Sequence, residues 1–205
     1  MSLLSRIKRL ILPIFLLIWL FFIALATVIY TPWTYQVNCY WNLRCEQLGL
    51  TAVHNRSLEL ASFFRHQLAN LPSPPWSSKE IQHLTEVRGL YDQLFWLFII
   101  ITLIMIFDLL MAKSLKIYQG YAMLSRNLMF GLLLALLVIS PFFKFFWMEI
   151  FHPLVFNNQL WLTDPRDISW YLMPRNYFLW VIFFLFCSTL LLNQALITWL
   201  TQRQK

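Results

Sequence analysis

Four histidines are the side chains of this sequence best suited to move protons, and two of them lie where a reaction could use them. Histidine titrates near neutral pH and can both accept and give a proton. His54 and His66 fall on the polar side of a predicted surface helix, where no catalytic role is needed. His83 and His152 each lie beside the end of a long apolar stretch, where the ester groups of membrane lipids would be found. This pair is therefore the candidate general acid and general base.

Several other kinds of chemistry lack their residues in this sequence. There is no phosphate-binding loop, no dinucleotide-binding glycine pattern, no His-Glu-x-x-His zinc motif and no Gly-x-Ser-x-Gly elbow. The absence of a Cys-x-x-Cys pair disfavours a disulfide-generating membrane oxidoreductase. A metal site made by His83, His152 and Glu86 is an alternative, although no ligand-dense motif supports it. We expect neither a metal nor a cofactor.

The elements that must position the two histidines are predicted to be membrane helices. Hydrophobic residues make up 60% of the 205 residues and charged residues 12%, whereas soluble domains usually carry about 25% charged residues. Crossing roughly 30 Å of hydrocarbon takes about 20 helical residues. Four apolar stretches are that long, at about residues 10–30, 94–111, 128–147 and 177–200. The predicted fold class is an all-α membrane protein with four transmembrane helices.

The charges of the predicted loops indicate which side of the membrane each loop faces. The segments before the first span, between the second and third spans, and after the fourth contain basic residues and no acid. These basic residues are Arg6, Lys8, Arg9, Lys113, Lys116, Arg126, Arg203 and Lys205. The other two loops have nearly balanced charges, and basic loops favour the cytoplasmic side. The distribution of the basic residues therefore predicts both termini in the cytoplasm, N-in/C-in. It also accounts for the net charge of +7 without a nucleic-acid partner.

Two features of the spans have alternative interpretations. Ala24-Leu25-Ala26 follows a basic start and an apolar core, as in a cleaved signal peptide, and cleavage would leave three spans. An uncleaved helix is favoured because the apolar run continues to Tyr30.

Asp108 is the one acid within a predicted span. We expect it to pair with Lys113 or Lys116 near the cytoplasmic end, or to lie in a polar interface, and not to serve a buried proton relay.

A small outer-face domain is predicted mainly from the loop over residues 31–93, with a second outer loop over residues 148–176. About 60 residues are too few for a robust independent core, so this domain is expected to lean on the membrane and on the second loop. Cys39 and Cys45 lie in the first loop. On the outer face they can form a disulfide, and the alternative is two unpaired thiols.

Helical patterns in the first outer loop lead toward the second span. Apolar residues at three- and four-residue spacing predict an amphipathic helix over residues 53–71, either packed on the domain or lying on the lipid surface. Its apolar positions are Leu60, Phe64, Leu68 and Leu71. Ser77 and Glu80 form a capping-box pattern that starts the next helix, which carries His83. A break at Gly89 would fold His83 back toward the membrane. Without that break, a substrate headgroup must rise to meet His83.

Two segments resemble the sequence motifs of a known family. The segment Glu80 to Arg88 resembles the pattern Glu-x-x-His-Leu/Met-x-Asp-Val, with Glu86 where Asp is usual. The second motif runs from Phe151 to Phe156, and its further matching residues are Trp161, Leu162, Asp164, Pro165, Asp167 and Pro174. The family is the lipoprotein intramolecular transacylases (Lit), which are bacterial integral membrane proteins, and the topology is similar to it over the whole chain.

The resemblance implies an activity, a location and a set of site residues. Enzymes of this family move the sn-2 acyl chain of a diacylated lipoprotein to the α-amino group of its lipid-bearing N-terminal Cys, which gives a lyso-form lipoprotein. Their two catalytic histidines correspond to His83 and His152. The residues expected to orient them or to contact substrate are Glu86, Trp161, Asp164 and Asp167. The implied partners are a diacylated lipoprotein and membrane lipid, at the outer face of a bacterial plasma membrane.

Two histidines suffice for this reaction. Converting an ester to an amide is downhill, the substrate supplies the nucleophile, and tethering supplies proximity. A base must take a proton from the amine and an acid must give one to the leaving oxygen. We expect His152 to be the base and His83 to assist the leaving oxygen or the oxyanion, and the swapped assignment stays open. Further candidate oxyanion donors are Arg88, Asn157 and Asn158.

A non-enzymatic membrane scaffold or assembly protein is the alternative function. It would bind a partner through its outer loops and would treat the histidines and tryptophans as packing residues. It predicts that His83 and His152 do not converge, whereas acid–base catalysis needs the two imidazoles within about 10 Å.

Overall fold

The computed structural model describes residues 3–111 and 114–204, and side chains from Ile7 onward. Lys113 and Lys205, which entered the orientation prediction, lie outside the described residues, as does the side chain of Arg6. Every regular element in the described ranges is helical. The longer helices are α1 (Leu3–Ile29), α4 (Leu50–Phe64), α5 (Ser78–Met111), α6 (Leu115–Ile139) and α10 (Arg175–Gln202). The short ones are α2 (Trp33–Asn38), α3 (Leu43–Leu48), α7 (Phe143–Phe145), α8 (His152–Val155) and α9 (Ile168–Leu172).

Four helical segments of the described chain are long and apolar enough to cross a membrane. They are Ile7–Ile29, Ser78–Met111, Leu115–Val155 and Arg175–Gln202. The predicted all-α membrane fold with four long apolar helices is therefore confirmed. The second and third segments are longer than predicted, because their helices continue beyond the apolar residues into polar sequence.

One compact unit combines Met1–Leu25, Leu94–Val138 and Phe183–Lys205. Its core is formed by apolar residues one or two turns apart on three helices, namely Leu12, Leu16, Leu20, Tyr118, Tyr121, Ala122, Ile197 and Leu200.

The acid of the predicted second span is paired within this unit. Asp108 accepts hydrogen bonds from Lys8 Nζ and from Tyr118 Oη, both at 2.7 Å. Of the expected alternatives, this is the polar interface, since the cation comes from α1 and not from Lys116.

The second unit combines Ala26–Gln93 with Ile139–Ile182 and contains both candidate histidines. Its core includes Leu60, Ala61, Phe63, Trp76 and Leu172, each at most 1% exposed. The apolar side of α4 is thus buried against this unit, which favours the packed alternative for that helix over a helix lying on lipid. Cys39 and Cys45 are joined by a disulfide.

Two helix boundaries in this unit differ from the sequence expectation. Helix α4 ends at Phe64, seven residues before the predicted end at Leu71, because His66 adopts a left-handed conformation with φ 59°. The amide of Gln67 then bonds the carbonyl of Ser62 at 2.9 Å, and that of His66 bonds Phe63 at 3.1 Å, which is a Schellman closure. Of the two alternatives at Gly89, the break does not occur, since α5 runs through this residue without interruption.

Candidate active site

The start of α5 positions His83 through the predicted capping box, which is confirmed. The amide of Ser77 donates to Glu80 Oε2 at 3.0 Å, and the amide of Glu80 donates to Ser77 Oγ at 3.2 Å. These reciprocal bonds satisfy two amides that a helix start otherwise leaves unpaired. His83 follows one turn later, so the cap fixes the beginning of the helix that carries it.

Two buried carboxylates connect the loop that follows His152 to the first turn of α5. Glu80 is 2% exposed, and its Oε1 accepts bonds from the amide and the hydroxyl of Ser169, both at 2.7 Å. Asp167, also 2% exposed, accepts from Ser77 Oγ at 2.9 Å and pairs with Lys79 Nζ at 2.7 Å. A buried carboxylate is tolerated when it is fully hydrogen-bonded, as here. Residues 164–169 are therefore held against the first turn of α5.

Asp164 makes further hydrogen bonds within the same loop. Its carboxylate accepts bonds from the amide and the guanidinium of Arg166 at 2.9 to 3.1 Å. The side-chain hydrogen bond from Arg166 holds the pKa of this carboxyl well below its usual range. Asp164 and Asp167 thus belong to the loop fastening, and their observed partners are protein groups. Among the described residues, none of their recorded contacts is with His83 or His152.

His152 is oriented by a widened helical turn. Residues Phe146–Phe151 form a π-helix, in which each amide bonds the carbonyl five residues earlier. The carbonyl of Trp147 consequently accepts the backbone amide of His152 and also its Nδ1, the latter at 2.7 Å. A carbonyl can only accept, so Nδ1 carries the proton and Nε2 keeps a free lone pair. In this tautomer Nε2 of His152 has the lone pair that a proton acceptor needs.

His83 is held by a carboxylate instead of a backbone carbonyl. Its Nδ1 lies 3.7 Å from Glu86 Oε2, one turn along α5, and its side chain is 16% exposed. Neither atom has a hydrogen-bond partner among the described residues, although both are buried. That separation is too long for a hydrogen bond, yet the two atoms face each other, so a small rotation would join them. An orienting carboxylate beside an imidazole is a common arrangement in acid–base sites.

The two imidazoles converge on one aromatic ring. The centroid of the Phe156 ring lies 4.8 Å from that of His83 and 5.9 Å from that of His152. The two imidazole centroids can therefore be no farther apart than the sum of these distances. The ring of Trp161 packs against His152, with 4.4 Å between the two ring centroids. Residues separated by nearly seventy positions in the chain are thus brought into one cluster.

A polar chain also connects the surroundings of the two histidines. Asn158 donates from Nδ2 to Glu86 Oε1 at 2.9 Å, opposite the oxygen that faces His83. Its backbone carbonyl accepts from the indole of Trp161 at 2.8 Å. Asn158 therefore links the carboxylate beside one imidazole to the ring stacked on the other. Glu86, Asn158 and Trp161 are the predicted site residues that the structure brings to the histidine pair.

Arg88 and Asn157 do not join this polar chain. Arg88 directs Nη1 at the carbonyls of Phe63, Leu68 and Ala69, at 3.1 to 3.5 Å, and lies 3.9 Å from the centre of the Phe63 ring. It caps the end of α4, which does not favour Arg88 as an oxyanion donor. Asn157 is exposed and lines a shallow cleft of about 270 Å³. The other residues of this cleft are Pro153, Phe156, Asn158, Gln159 and Trp161.

The helical segment that carries His152 presents an apolar surface. Leu154 is 82% exposed, and Phe142, Phe145 and Ile150 are also exposed. Within the described residues, no group of three or more His, Cys, Asp or Glu side chains is placed to hold a metal ion. The metal alternative built on His83, His152 and Glu86 therefore finds no support. A hydrophobic surface beside a pair of imidazoles is the arrangement expected for a lipid-like substrate.

Sequence reasoning missed three residues of this site. Phe156 and Trp147 looked like two more members of an aromatic-rich segment, and Glu80 looked like a helix cap alone. Each acquires its role from a partner far along the chain or from the π-helical turn. The one available signal was the position of Glu80 and Phe156 inside the two family-like motifs.

Comparisons with known proteins identify the family and the fold. Residues 10–178 match the model of the family described as lipoprotein intramolecular transacylase Lit. The in meso structure of the membrane integral lipoprotein intramolecular transacylase Lit from Bacillus cereus is similar, with a TM-score of 0.74 and 21% identity. That similarity covers 98% of this chain and 97% of the other. No curated protein sequence matches this chain.

Two further solved structures are of the same Bacillus cereus protein with one histidine replaced. The arginine variant has a TM-score of 0.71 and 18% identity, covering 98% of this chain and 93% of the other. The alanine variant has a TM-score of 0.72 and 19% identity, covering 98% and 95%. At such identities these similarities establish the fold, while the family model spans well over half of the sequence. The chain belongs to the lipoprotein intramolecular transacylase (Lit) family.

Proposed function

We propose that this protein moves the sn-2 acyl chain of a diacylglyceryl-modified lipoprotein to the α-amino group of its N-terminal Cys. The ester bond to the glycerol oxygen breaks, an amide bond forms, and one proton passes from nitrogen to oxygen. The observation that carries the proposal is the convergence of His83 and His152 on the ring of Phe156. Membership of the transacylase family supports the same reaction class.

The bonding of the two imidazoles supports different roles. His152 has its Nδ1 proton on the Trp147 carbonyl, so its free Nε2 accepts the proton of the attacking amine. His83 gives a proton to the departing glycerol oxygen. Glu86, whose Oε2 lies 3.7 Å from Nδ1 of His83, is the carboxylate placed to orient the imidazole for this step. His83 then recovers a proton from His152, directly or through solvent, before the next turnover.

The surroundings support a substrate that is partly lipid. The exposed apolar side chains of the His152 segment, such as Ile150 and Leu154, offer a surface for an acyl chain. Helix α5 is unbroken, so His83 lies eleven residues before Leu94, or roughly 16 Å along the helix axis at 1.5 Å per residue. We therefore propose that the acyl-glycerol group rises out of the hydrocarbon to react. The same convergence weighs against a scaffold in which the histidines only pack.

The proposal places the reaction on the extracytoplasmic face of a bacterial plasma membrane. The balanced charges of the loops that contain both histidines support this side, because basic loops stay in the cytoplasm. The disulfide between Cys39 and Cys45 belongs to the same unit as the histidines, and disulfides persist mainly in oxidising compartments.

The test is the replacement of each histidine in turn. His83→Ala and His152→Ala should each reduce formation of the lyso-form product by about 100-fold or more, since general acid–base catalysis contributes about 10²–10⁴-fold. Mass spectrometry of a reporter lipopeptide measures the shift of the acyl chain from oxygen to nitrogen. His54→Ala is the matched control, because that ring is exposed and bonds only Gln36 among its recorded partners. Full conversion by either variant would refute the role of that histidine.

A further inference from the structure

The cleft beside His152 has a lining whose chemistry is unlike that of an acyl-chain groove. Its residues are Pro153, Phe156, Asn157, Asn158, Gln159 and Trp161. Three of these six carry side-chain amides, and none carries a charge. An acyl chain would leave amides unpaired, and a phosphate headgroup would find no cation among them. The lining therefore suits an uncharged group that both donates and accepts hydrogen bonds.

The amides of this cleft divide into one that is engaged and two that are available. Asn158 uses its Nδ2 on Glu86 and its Oδ1 on the amide of Leu160, at 2.9 and 3.0 Å. The side chains of Asn157 and Gln159 are exposed and make none of the hydrogen bonds recorded among the described residues. Each offers two donors and one acceptor, which is the complement of a peptide group in either direction. Phe156 and Trp161 add apolar ring surface beside them.

The position of the cleft matches the covalent structure of the proposed substrate. In an N-terminal cysteine, the carbonyl of the first peptide bond is two bonds from the attacking nitrogen. A peptide chain must therefore leave the reaction centre within a few ångströms of the histidine that takes the amine proton. The cleft shares the rings of Phe156 and Trp161 with His152, at 5.9 and 4.4 Å between centroids. It is the surface that a departing peptide would meet first.

We infer that the cleft of Asn157 and Gln159 binds the peptide backbone that follows the lipid-bearing Cys of the substrate. Amide side chains recognise peptide groups whatever the neighbouring side chains are, so the site accepts lipoproteins of different sequence. Drug-sized ligands occupy pockets of about 300–1,000 Å³, so a cleft of about 270 Å³ holds only a short segment. The inference rests on the proposed function and adds to it the part of the substrate that distinguishes a lipoprotein from a phospholipid.

The test compares two synthetic substrates with the purified full-length protein in lipid nanodiscs. One is a diacylglyceryl-cysteine lipopeptide with four further residues, and the other is diacylglyceryl-cysteine amide, which lacks every later peptide bond. Mass spectrometry gives kcat/KM for each. The unsubstituted protein should prefer the lipopeptide by about tenfold or more, since each net hydrogen bond is worth about fivefold. Asn157→Ala and Gln159→Ala should each lower that preference, mainly by raising KM for the lipopeptide.

Controls separate this inference from the proposed function. Gln82→Ala removes an exposed amide from α5, next to His83 in sequence but outside the cleft, and should leave the preference as it was. Asn157→Gln should restore part of the preference lost in Asn157→Ala. If both substrates turn over equally well and the two alanine variants change neither, the inference is overturned and the transacylase proposal stands. If the unsubstituted protein converts neither substrate, both are overturned.

Discussion

At the scale of single residues, the two imidazoles differ in what holds their Nδ1 atoms. His152 uses a main-chain carbonyl at 2.7 Å, which no side-chain substitution can remove. His83 faces the carboxylate of Glu86 at 3.7 Å and has no other partner there. The one polar side chain described beside Nδ1 of His83 is therefore Glu86, while the ring of Phe156 packs against the imidazole. Glu86 in turn depends on Asn158, which holds its second oxygen.

Replacing Glu86 should test that dependence. Glu86→Ala should lower kcat by about 10- to 100-fold, the usual effect of losing an orienting partner, with a smaller change in KM. Glu86→Asp should retain more activity than Glu86→Ala, because it keeps a carboxylate on the same face of α5. Steady-state kinetics on a reporter lipopeptide gives both constants. Asp92→Ala is the matched control, since Asp92 also lies on α5 and pairs with a histidine, His66, at 2.8 Å. An unchanged kcat in Glu86→Ala would remove Glu86 from the mechanism.

The sequence predicted the polar residues of the site but gave no role to Phe156, the apolar residue between the histidines. His83, His152 and Glu86 could be found because their types carry chemistry and their positions fall in motifs. Phe156 is one of nineteen phenylalanines, and its contact with His83 joins residues more than seventy positions apart. No local period encodes such a contact. The observed partners of Arg88 could not be predicted for the same reason, because the carbonyls that it bonds lie at and just beyond the end of α4.

At the scale of elements, α5 runs without interruption from Ser78 to Met111, and our proposal that the substrate rises out of the hydrocarbon to reach His83 depends on this. Glycine weakens a helix, and this made Gly89 a reasonable place for a break. The helix persists because capping at its start and apolar sequence beyond Gly89 both favour it, while one glycine costs about 1 kcal/mol. A Cβ added at Gly89 would meet no atom within 4 Å. The glycine is therefore not required for close packing.

Gly89→Ala should accordingly stabilise the protein. Alanine has the higher helix propensity, and we expect a gain of about 0.5–1 kcal/mol in the free energy of unfolding, with activity retained. Thermal unfolding in detergent, followed by circular dichroism, measures the stability. Gly49→Ala provides the contrasting variant, because Gly49 has φ +81° and a side chain there is strained. Loss of activity in Gly89→Ala without loss of stability would indicate that α5 must bend at this position during the reaction.

The π-helical turn before His152 was beyond prediction from the sequence pattern. The spacing of apolar residues predicts where a helix continues or ends. One extra residue in a single turn changes that spacing very little. Pro153 gives a physical reason for the wider turn. Proline has no amide hydrogen for the carbonyl four residues earlier, and its ring crowds that carbonyl, so an ordinary α-turn is disfavoured here. In the widened turn the Trp147 carbonyl accepts hydrogen bonds from two nitrogens of His152, the backbone amide and Nδ1.

At the scale of the whole molecule, the four long helices followed from hydrophobicity alone, because hydrocarbon leaves few other structures for a backbone. Composition could not give the fastening of the second loop to the start of α5. That fastening uses Glu80 and Asp167, two buried carboxylates whose partners come from sequence about ninety positions away. The orientation in the membrane is a separate prediction that rests on loop charges.

Cysteine labelling would decide that orientation. In a Cys187→Ser background, Gln82→Cys should react with a membrane-impermeant maleimide on intact cells, and Lys116→Cys should react only after permeabilisation. Both positions are exposed, so accessibility to the reagent depends on the side of the membrane and not on packing. The disulfide-bonded Cys39 and Cys45 should stay unlabelled in either case. If Lys116→Cys were labelled on intact cells and Gln82→Cys were protected, the histidines would face the cytosol. The amine and ester of a secreted lipoprotein would then be out of reach, and transacylation at this site would be excluded.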